Sequence, residues 1–389
     1  MTEMAFGRTP AAPGESALLR WWRTVDRWTL GAVLALVALG LVIGMAASAP
    51  LAERNGLGPF HYVIRQAGFA LVALGLMVFV SMQDVRTVRR LAVLGFCGAL
   101  VAVMLLPVLG TDFGKGAVRW YSLGFASLQP SEFLKPAFVG TAAWMMAASA
   151  ERHGPPGITL SFLLATGCAA LLAMQPDFGQ AALLMATWGA MFFVAGAPAG
   201  LLVGLGAAVA GVGAFAYENS EHLARRIDGF LVAEVDPRTQ LGYATNAIQE
   251  GGFLGVGLGE GSVKNTLPDA HTDFVIAVAA EEYGLLLCLG IIALYLLITV
   301  RALLRLAEER DAMARLAGSG MAALMGLQAF VNLGVAIRLL PAKGMTLPFV
   351  SYGGSSLMAA GIGMGLLLAM TRRRPQRDVL EAFEDGAGR

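Results

Sequence analysis

Residues 272–299 read TDFVIAVAAEEYGLLLCLGIIALYLLIT. A hydrocarbon core of ~30 Å takes ~20 mainly apolar residues to cross as a helix, and this run exceeds that length. Only its start and one Glu-Glu pair are charged, so it predicts a membrane-spanning helix with an acid, Asp273, at its mouth. Similar runs recur from end to end. Of 389 residues, 57% are hydrophobic and 14% charged, against about 25% charged in soluble domains. The composition predicts an all-α integral membrane protein. Its net charge of +1 is divided among loops and forms no basic face, which argues against a nucleic-acid partner. Cys97, Cys168 and Cys288 lie singly inside apolar runs and read as small core residues, not as disulfides or metal ligands.

Run length places spans at about 29–48, 63–82, 90–108, 133–149, 158–174, 179–196, 199–217, 272–299, 316–338 and 353–371, about ten transmembrane helices in all. Only the Gly196-Ala197-Pro198-Ala199-Gly200 break separates the sixth from the seventh, and merging them gives about nine. A polar tail over 1–28, in which Arg20, Trp21, Trp22, Arg23 and Arg27 form an interfacial anchor, precedes a membrane domain over 29–371. Residues 372–389 form a second tail. Ala47-Ser48-Ala49 resembles a signal-peptidase site, but the run before it is longer than a signal core of ~7–15 residues, so the first span is expected to be retained. With an even count, the arginines at 20–27, 86–90, 301–315 and 372–374 share one side, which the positive-inside rule makes the cytoplasm. Both termini are then cytoplasmic. Residues 109–132, the long loop 218–271 between helices 7 and 8, and 339–352 become extracytoplasmic.

These outer segments hold the distinctive polar residues. LPDAHTDF at 267–274 crowds Asp269, His271 and Asp273 against the eighth span. A carboxylate half in water and half against lipid can be shifted toward the range of a general base, which makes Asp273 the leading catalytic candidate. Helix capping favours an acid at the same place. QPSE at 129–132 opens the fourth span with Glu132 in its first turn, and Lys135 follows. QPD at 175–177 reads as a re-entry turn with Asp177 near an N-cap. Arg225, Arg226 and Lys264 in the long loop suit a phosphate-bearing substrate, although taken alone they read first as a solvated loop or as lipid-headgroup contacts. GGFLGVGLGEG at 251–261 lacks the strand–turn–helix context of a nucleotide loop and predicts a flexible loop close to other backbone. Glu281 and Glu282, two turns into the span, are expected to be functional or to pair with Gln328 and Asn332. LLPAKGMTLPFVSYGGSS at 339–356 is too rich in proline and glycine for a helix. Irregular backbone at membrane depth implies a cavity wall, to which Lys343 supplies a cation and Tyr352 and Ser355 supply hydrogen bonds.

In their order and spacing, QPSE with its lysine, QPD, GG followed by GxGxG, LPxAHTDF with EExG at 281–284, and LPFVSYGGSS resemble the SEDS family of cell-wall polymerases (shape, elongation, division and sporulation), from about Arg65 to Gly365. PAKG around Lys343 is similar to the FtsW, or division, branch; RodA-type members more often carry threonine there. Two departures stand out, KGAVRW at 115–120 in place of NGARRW and Ala244 in place of a glutamine after Gly242-Tyr243. The resemblance implies a peptidoglycan glycosyltransferase that polymerises lipid II, an undecaprenyl-diphosphate disaccharide-pentapeptide. Its expected place is the outer face of the cytoplasmic (inner) membrane, at the septum during cell division. Asp273 is implied as the essential acid, with Glu132 and Lys135 as functional residues in the same cavity. Class B penicillin-binding transpeptidase and other divisome proteins are the implied partners.

That chemistry requires a sugar hydroxyl to lose a proton as it attacks an anomeric carbon, so Asp273 is expected to act as general base in an inverting single displacement. The leaving diphosphate needs preorganised cations, for which Lys135, Arg225, Arg226 and Lys343 are the candidates. His271 and Ser355 complete the expected substrate contacts. A divalent cation such as Mg or Mn fits the same need, without an organic cofactor, and Glu132 is expected to orient Lys135 or that metal. Two rival functions use the same residues differently. A lipid II flippase needs the same cavity, and a non-catalytic divisome scaffold leaves the acids incidental.

Overall fold

The computed structural model describes residues 16–114, 117–124, 126–151, 153–219, 221, 224, 228, 239–267, 270–341 and 344–373. A short amphipathic helix, Ala17–Thr24 (α1), leads into Arg27–Arg54 (α2), His61–Ser81 (α3) and Val85–Leu109 (α4). Then follow Pro130–Ala148 (α5), Gly157–Met174 (α6), Phe178–Val194 (α7), Ala199–Asn219 (α8) and Gln240–Gly251 (α9). Val275–Ala307 (α10), Ala312–Ala336 (α11) and Gly354–Met370 (α12) complete the helices among the described residues. Each predicted apolar run falls on a helix, and the break at 196–200 separates α7 from α8. By length and composition α2, α3, α4, α6, α10 and α11 can each cross a membrane, while α7 and α12 are shorter apolar helices. The segment after α4 is not all loop. Tyr121–Ser122 (β1) pairs antiparallel with Ser127–Leu128 (β2) in a small hairpin.

α11 is the hub. It packs on α5, α7, α10 and α12, and its membrane-length window is mostly buried. Aspartates start several helices by accepting from the first free backbone N–H groups, as Asp84 does from Thr87 N at 3.1 Å and Asp311 from Ala314 N at 2.9 Å. The predicted sharing of one end by the arginine clusters is seen as contacts. Arg301 and Arg305 meet Asp26 at the start of α2, Arg305 also donates to Thr371 O, and Arg372 donates to Ser81 O. α1 joins this end through Trp21 Nε1, which donates to Ser81 Oγ at 2.8 Å.

α10 departs from the continuous helix that its hydropathy predicts. At Gly284 the backbone takes φ 79° and ψ −178°, which breaks the helix, and the glycine loop fills the break. Val256 N and Gly257 N donate to the carbonyls of Glu281 and Glu282, while Leu285 N donates to Gly252 O. A β-carbon on Gly284 would lie 2.4 Å from Phe253 O, and one on Gly255 2.2 Å from Glu282 O. The glycines are therefore there for close backbone approach, as expected. The loop also corrects the expected pairing of the deep acids. Glu282 bonds Lys264, and Glu281 accepts from Ser262 N at 2.6 Å. Gln328 and Asn332 face a different partner set, because the loop docked at the break supplies the partners of Glu281 and Glu282.

Candidate active site

Asp273 lies in the turn just before α10, half-buried. The cap position of that helix belongs to Phe274, so α10 does not start on the Asp273 carboxylate. Its side chain lies over Gly344, where a β-carbon would come within 3.4 Å of Oδ2, and Gly344 has φ 60°. Asn332 on α11 fixes the turn from below: its Nδ2 donates to Asp273 O at 3.0 Å and to Met345 O at 2.5 Å. Ser351 Oγ donates to Thr272 O, and Tyr352 N to His271 O at 2.9 Å. Two irregular stretches, 270–274 and 344–353, are thereby sewn into one wall. Tyr62, His271 and Tyr352 cluster beside it with ring centroids 5.6–6.1 Å apart. Burial raises the Tyr352 phenol pKa, with Arg65 opposing it, so the phenol remains a proton donor.

The wall is anchored on its far side as well. Phe349 is buried and adopts φ 67°, a conformation that costs about 1–3 kcal/mol in a non-glycine residue. Tyr295 OH donates to Pro348 O, and Gln66 Nε2 on α3 donates to Val350 O at 3.2 Å. α2 makes room, since a β-carbon on Gly40 would stand 2.5 Å from Phe349 O.

Beneath the wall lies a buried polar cluster built from the two Gln-Pro turns. Pro130 occupies the start of α5, placing Glu132 and Lys135 one turn apart and both buried. Lys135 Nζ contacts Glu132 Oε1 and Oε2 at 3.1 and 3.0 Å and Gln328 Oε1 at 3.2 Å, which matches the three protons of the ammonium. Gln180 Nε2 donates to Glu132 Oε1 at 2.8 Å. Gln328 turns its own Nε2 to Thr346 O at 3.0 Å, so the cluster grips the same segment that carries Gly344. A cavity of about 20 Å³, room for one water, lies among Glu132, Lys135, Gln328 and Ser356. Arg119 clamps the second Gln-Pro turn by donating to Gln175 O at 2.8 Å and Pro176 O at 2.7 Å. Asp177 sits in that turn, buried, and its burial raises its carboxyl pKa despite the nearby Arg119 charge.

The structure thus joins Asp273, His271, Glu132 and Lys135 through one backbone segment. Ser355 is buried in the first turn of α12; its neighbour Ser356 is the serine at the cavity, paired with Thr346 Oγ1 at 2.6 Å. Arg225, Arg226, Lys343 and Asp269 lie outside the described residues. Sequence reasoning missed Gln180 and Arg119 as members of the cluster. The signal was present in the repeated Gln-Pro-acid start, because two helices that begin alike at the same depth bring their first turns together. Among the described residues no group of three or more His, Cys, Asp or Glu side chains forms a metal cage. A Mg or Mn ion shared between one carboxylate and substrate phosphates needs no such cage.

Comparison with known proteins follows this geometry. The chain matches the family described as cell cycle protein, with FtsW, RodA and SpoVE as its named members, over residues 27–376. It is 41% identical to the probable peptidoglycan glycosyltransferase FtsW of Caulobacter vibrioides, across 95% of this chain and 94% of that protein. The protein of the same name from Halorhodospira halophila is 36% identical over 95% of each chain. A solved structure described as showing structural coordination of polymerization and crosslinking by a peptidoglycan synthase complex superposes with a TM-score of 0.74 at 31% identity, covering 89% of this chain and 97% of that one. The crystal structure of Thermus thermophilus rod shape determining protein RodA gives 0.65 at 29% identity, covering 90% and 97%. Such a match over nearly the whole length places the chain in the family of FtsW, RodA and SpoVE, the SEDS proteins.

Proposed function

We propose that this protein is a peptidoglycan glycosyltransferase of the FtsW type, which polymerises lipid II at the outer face of the cytoplasmic membrane during septal wall synthesis. The observation that carries the chemistry is the convergence of Asp273 and the Glu132–Lys135–Gln328 cluster on residues 344–346. A carboxylate held at the mouth of a broken membrane helix, with its main chain fixed by Asn332, is placed to take a proton from an acceptor sugar hydroxyl. The oxygen then attacks the anomeric carbon as the bond to undecaprenyl diphosphate breaks, with inversion. Glu132 acts by orienting Lys135, since both its oxygens are engaged by that ammonium. Arg225, Arg226 and Lys343 are the cations we assign to the diphosphate, and His271 a further substrate contact; Ser355, buried and outside the cavity lining, is not kept as one. A divalent cation held between the substrate diphosphate and a carboxylate of the site would supply further neutralisation of the leaving charge. The relatives' names and the polymerization and crosslinking complex described for the solved neighbour support a polymerase that works beside a crosslinking partner, to which we assign a class B penicillin-binding transpeptidase, with other divisome proteins around it.

The test is polymerisation by purified protein in detergent, alone and with a class B partner. Glycan strands from lipid II support the assignment, and their absence in both mixtures contradicts it. Topology has its own check, because the arginine-rich end that gathers Asp26, Arg301, Arg305 and Arg372 is assigned to the cytoplasm. A cysteine introduced at Ser16 should resist labelling from the periplasm in intact cells.

A further inference from the structure

Beyond its kink, α10 presents an exposed apolar stripe that ends in charge. Leu296, Leu297 and Val300 are 57%, 38% and 50% exposed. They line a groove of about 590 Å³ whose polar end is formed by Arg301, Arg305 and Glu308. These three side chains are spaced by four and three residues and so share one helix face.

The arginines are anchored from behind. Asp26, only 1% exposed, accepts from Arg301 Nε at 2.8 and 3.0 Å and from Arg305 Nη2 at 3.3 Å. Arg305 places its other Nη on Thr371 O. Arg301 uses Nε alone, so its two Nη groups meet no acceptor among the described residues, and its side chain is 32% exposed. Glu308, exposed at the end of α10, likewise has no side-chain partner among the described residues. Two arginines against one buried aspartate leave one positive charge at the head of the stripe, and Arg373 nearby adds to it. One turn further out stands the negative Glu308.

We propose that this groove is a binding site for a phospholipid with a phosphoethanolamine headgroup. Its phosphate sits on the open Nη groups of Arg301, its ammonium reaches Glu308, and an acyl chain lies along Leu296, Leu297 and Val300. From Leu296 and Val300 through Arg301 to Glu308, with Leu304 beside the arginines, the groove runs apolar, positive, negative, which is the order of acyl chain, phosphate and ammonium in such a lipid. Asp26 holds Arg301 in place before the lipid arrives, so little side-chain freedom is lost on binding, and a guanidinium edge suits phosphate bidentately. A lone basic patch would take any anionic lipid; Glu308 is what selects the ammonium.

The full-length protein in mild detergent, equilibrated with equimolar phosphatidylethanolamine and phosphatidylglycerol of identical acyl chains, tests this by native mass spectrometry of retained lipid. The parent should favour phosphatidylethanolamine by about tenfold, the scale of one charge-assisted hydrogen bond. Glu308→Gln should bring the ratio to about one without loss of phosphatidylglycerol, and Arg301→Gln should lower retention of both about tenfold. Because Glu308 is exposed, its variant remains informative even if loss of Arg301 disturbs folding. Equal retention of the two lipids by the parent, a preference for phosphatidylglycerol, or an unchanged ratio in Glu308→Gln overturns the proposal.

Discussion

Asn332 donates to the main-chain carbonyl of Asp273 at 3.0 Å, so the acid is positioned by a side chain on a neighbouring helix. The same Nδ2 holds Met345 O, and one turn earlier Gln328 links Lys135 to Thr346 O. One face of α11 therefore sets both halves of the site. Asn332→Leu leaves two carbonyls without this donor and lets the turn drift. Turnover of lipid II should fall about 10- to 100-fold, with KM changed much less, since misplacement by ~1 Å costs on that scale. Steady-state kinetics on the purified variant check it, and unchanged kcat would remove Asn332 from the positioning role.

Lys135 and Glu132 form a buried pair, and removing one partner strands the other. Lys135→Met should lower stability by about 3–5 kcal/mol, whereas Lys135→Met with Glu132→Gln should recover a large part of the loss. Thermal melting of the four proteins in detergent gives the coupling. Additive losses would contradict direct pairing.

Gly284 is required by its backbone as well as by crowding. Gly284→Ala would place a β-carbon 2.4 Å from Phe253 O at φ 79°, so the loop should detach or the helix shift, with a loss above about 1–3 kcal/mol. Gly290 in the same helix has no neighbour within 4 Å of such an atom, and Gly290→Ala should be neutral or stabilising by up to about 1 kcal/mol. Equal melting temperatures for the two variants would contradict the packed junction.

Asp177 gives a pH signature. Burial raises its folded-state pKa above the ordinary ~3.9 of an aspartate, so the folded protein holds that proton more tightly than the unfolded chain. The resulting stability is fully present below about pH 4 and is lost as pH rises through the ordinary value to the raised one. Asp177→Asn should therefore melt higher than the parent at neutral pH and equally near about pH 4. A parent that outlasts the variant at neutral pH would mean that the ionised form is held by Arg119.

The membrane fold was legible because run length and composition carry it: each apolar run from 29–48 to 353–371 falls on a helix. Asp273 and Glu132 stand out in the sequence as candidates because charge at the mouth of an apolar run is costly without a purpose, and Lys135 enters as a site candidate by the family resemblance. Pairings were not. Glu281 and Glu282 meet Ser262 and Lys264 because the glycine loop docks where Gly284 breaks α10, and hydropathy is blind to a positive-φ backbone. Likewise Gln180 meets Glu132 only through the packing of α5 beside α7, a contact between residues far apart in the chain.

Turnover by Asp273→Asn tests the central claim most directly. Asparagine keeps the shape and the hydrogen-bonding atoms but cannot accept the proton. The account predicts lipid II polymerisation reduced by about 100-fold or more in protein of parental melting temperature, with lipid II binding largely kept. Turnover within a few-fold of the parent, at equal thermal stability, would contradict Asp273 as the general base.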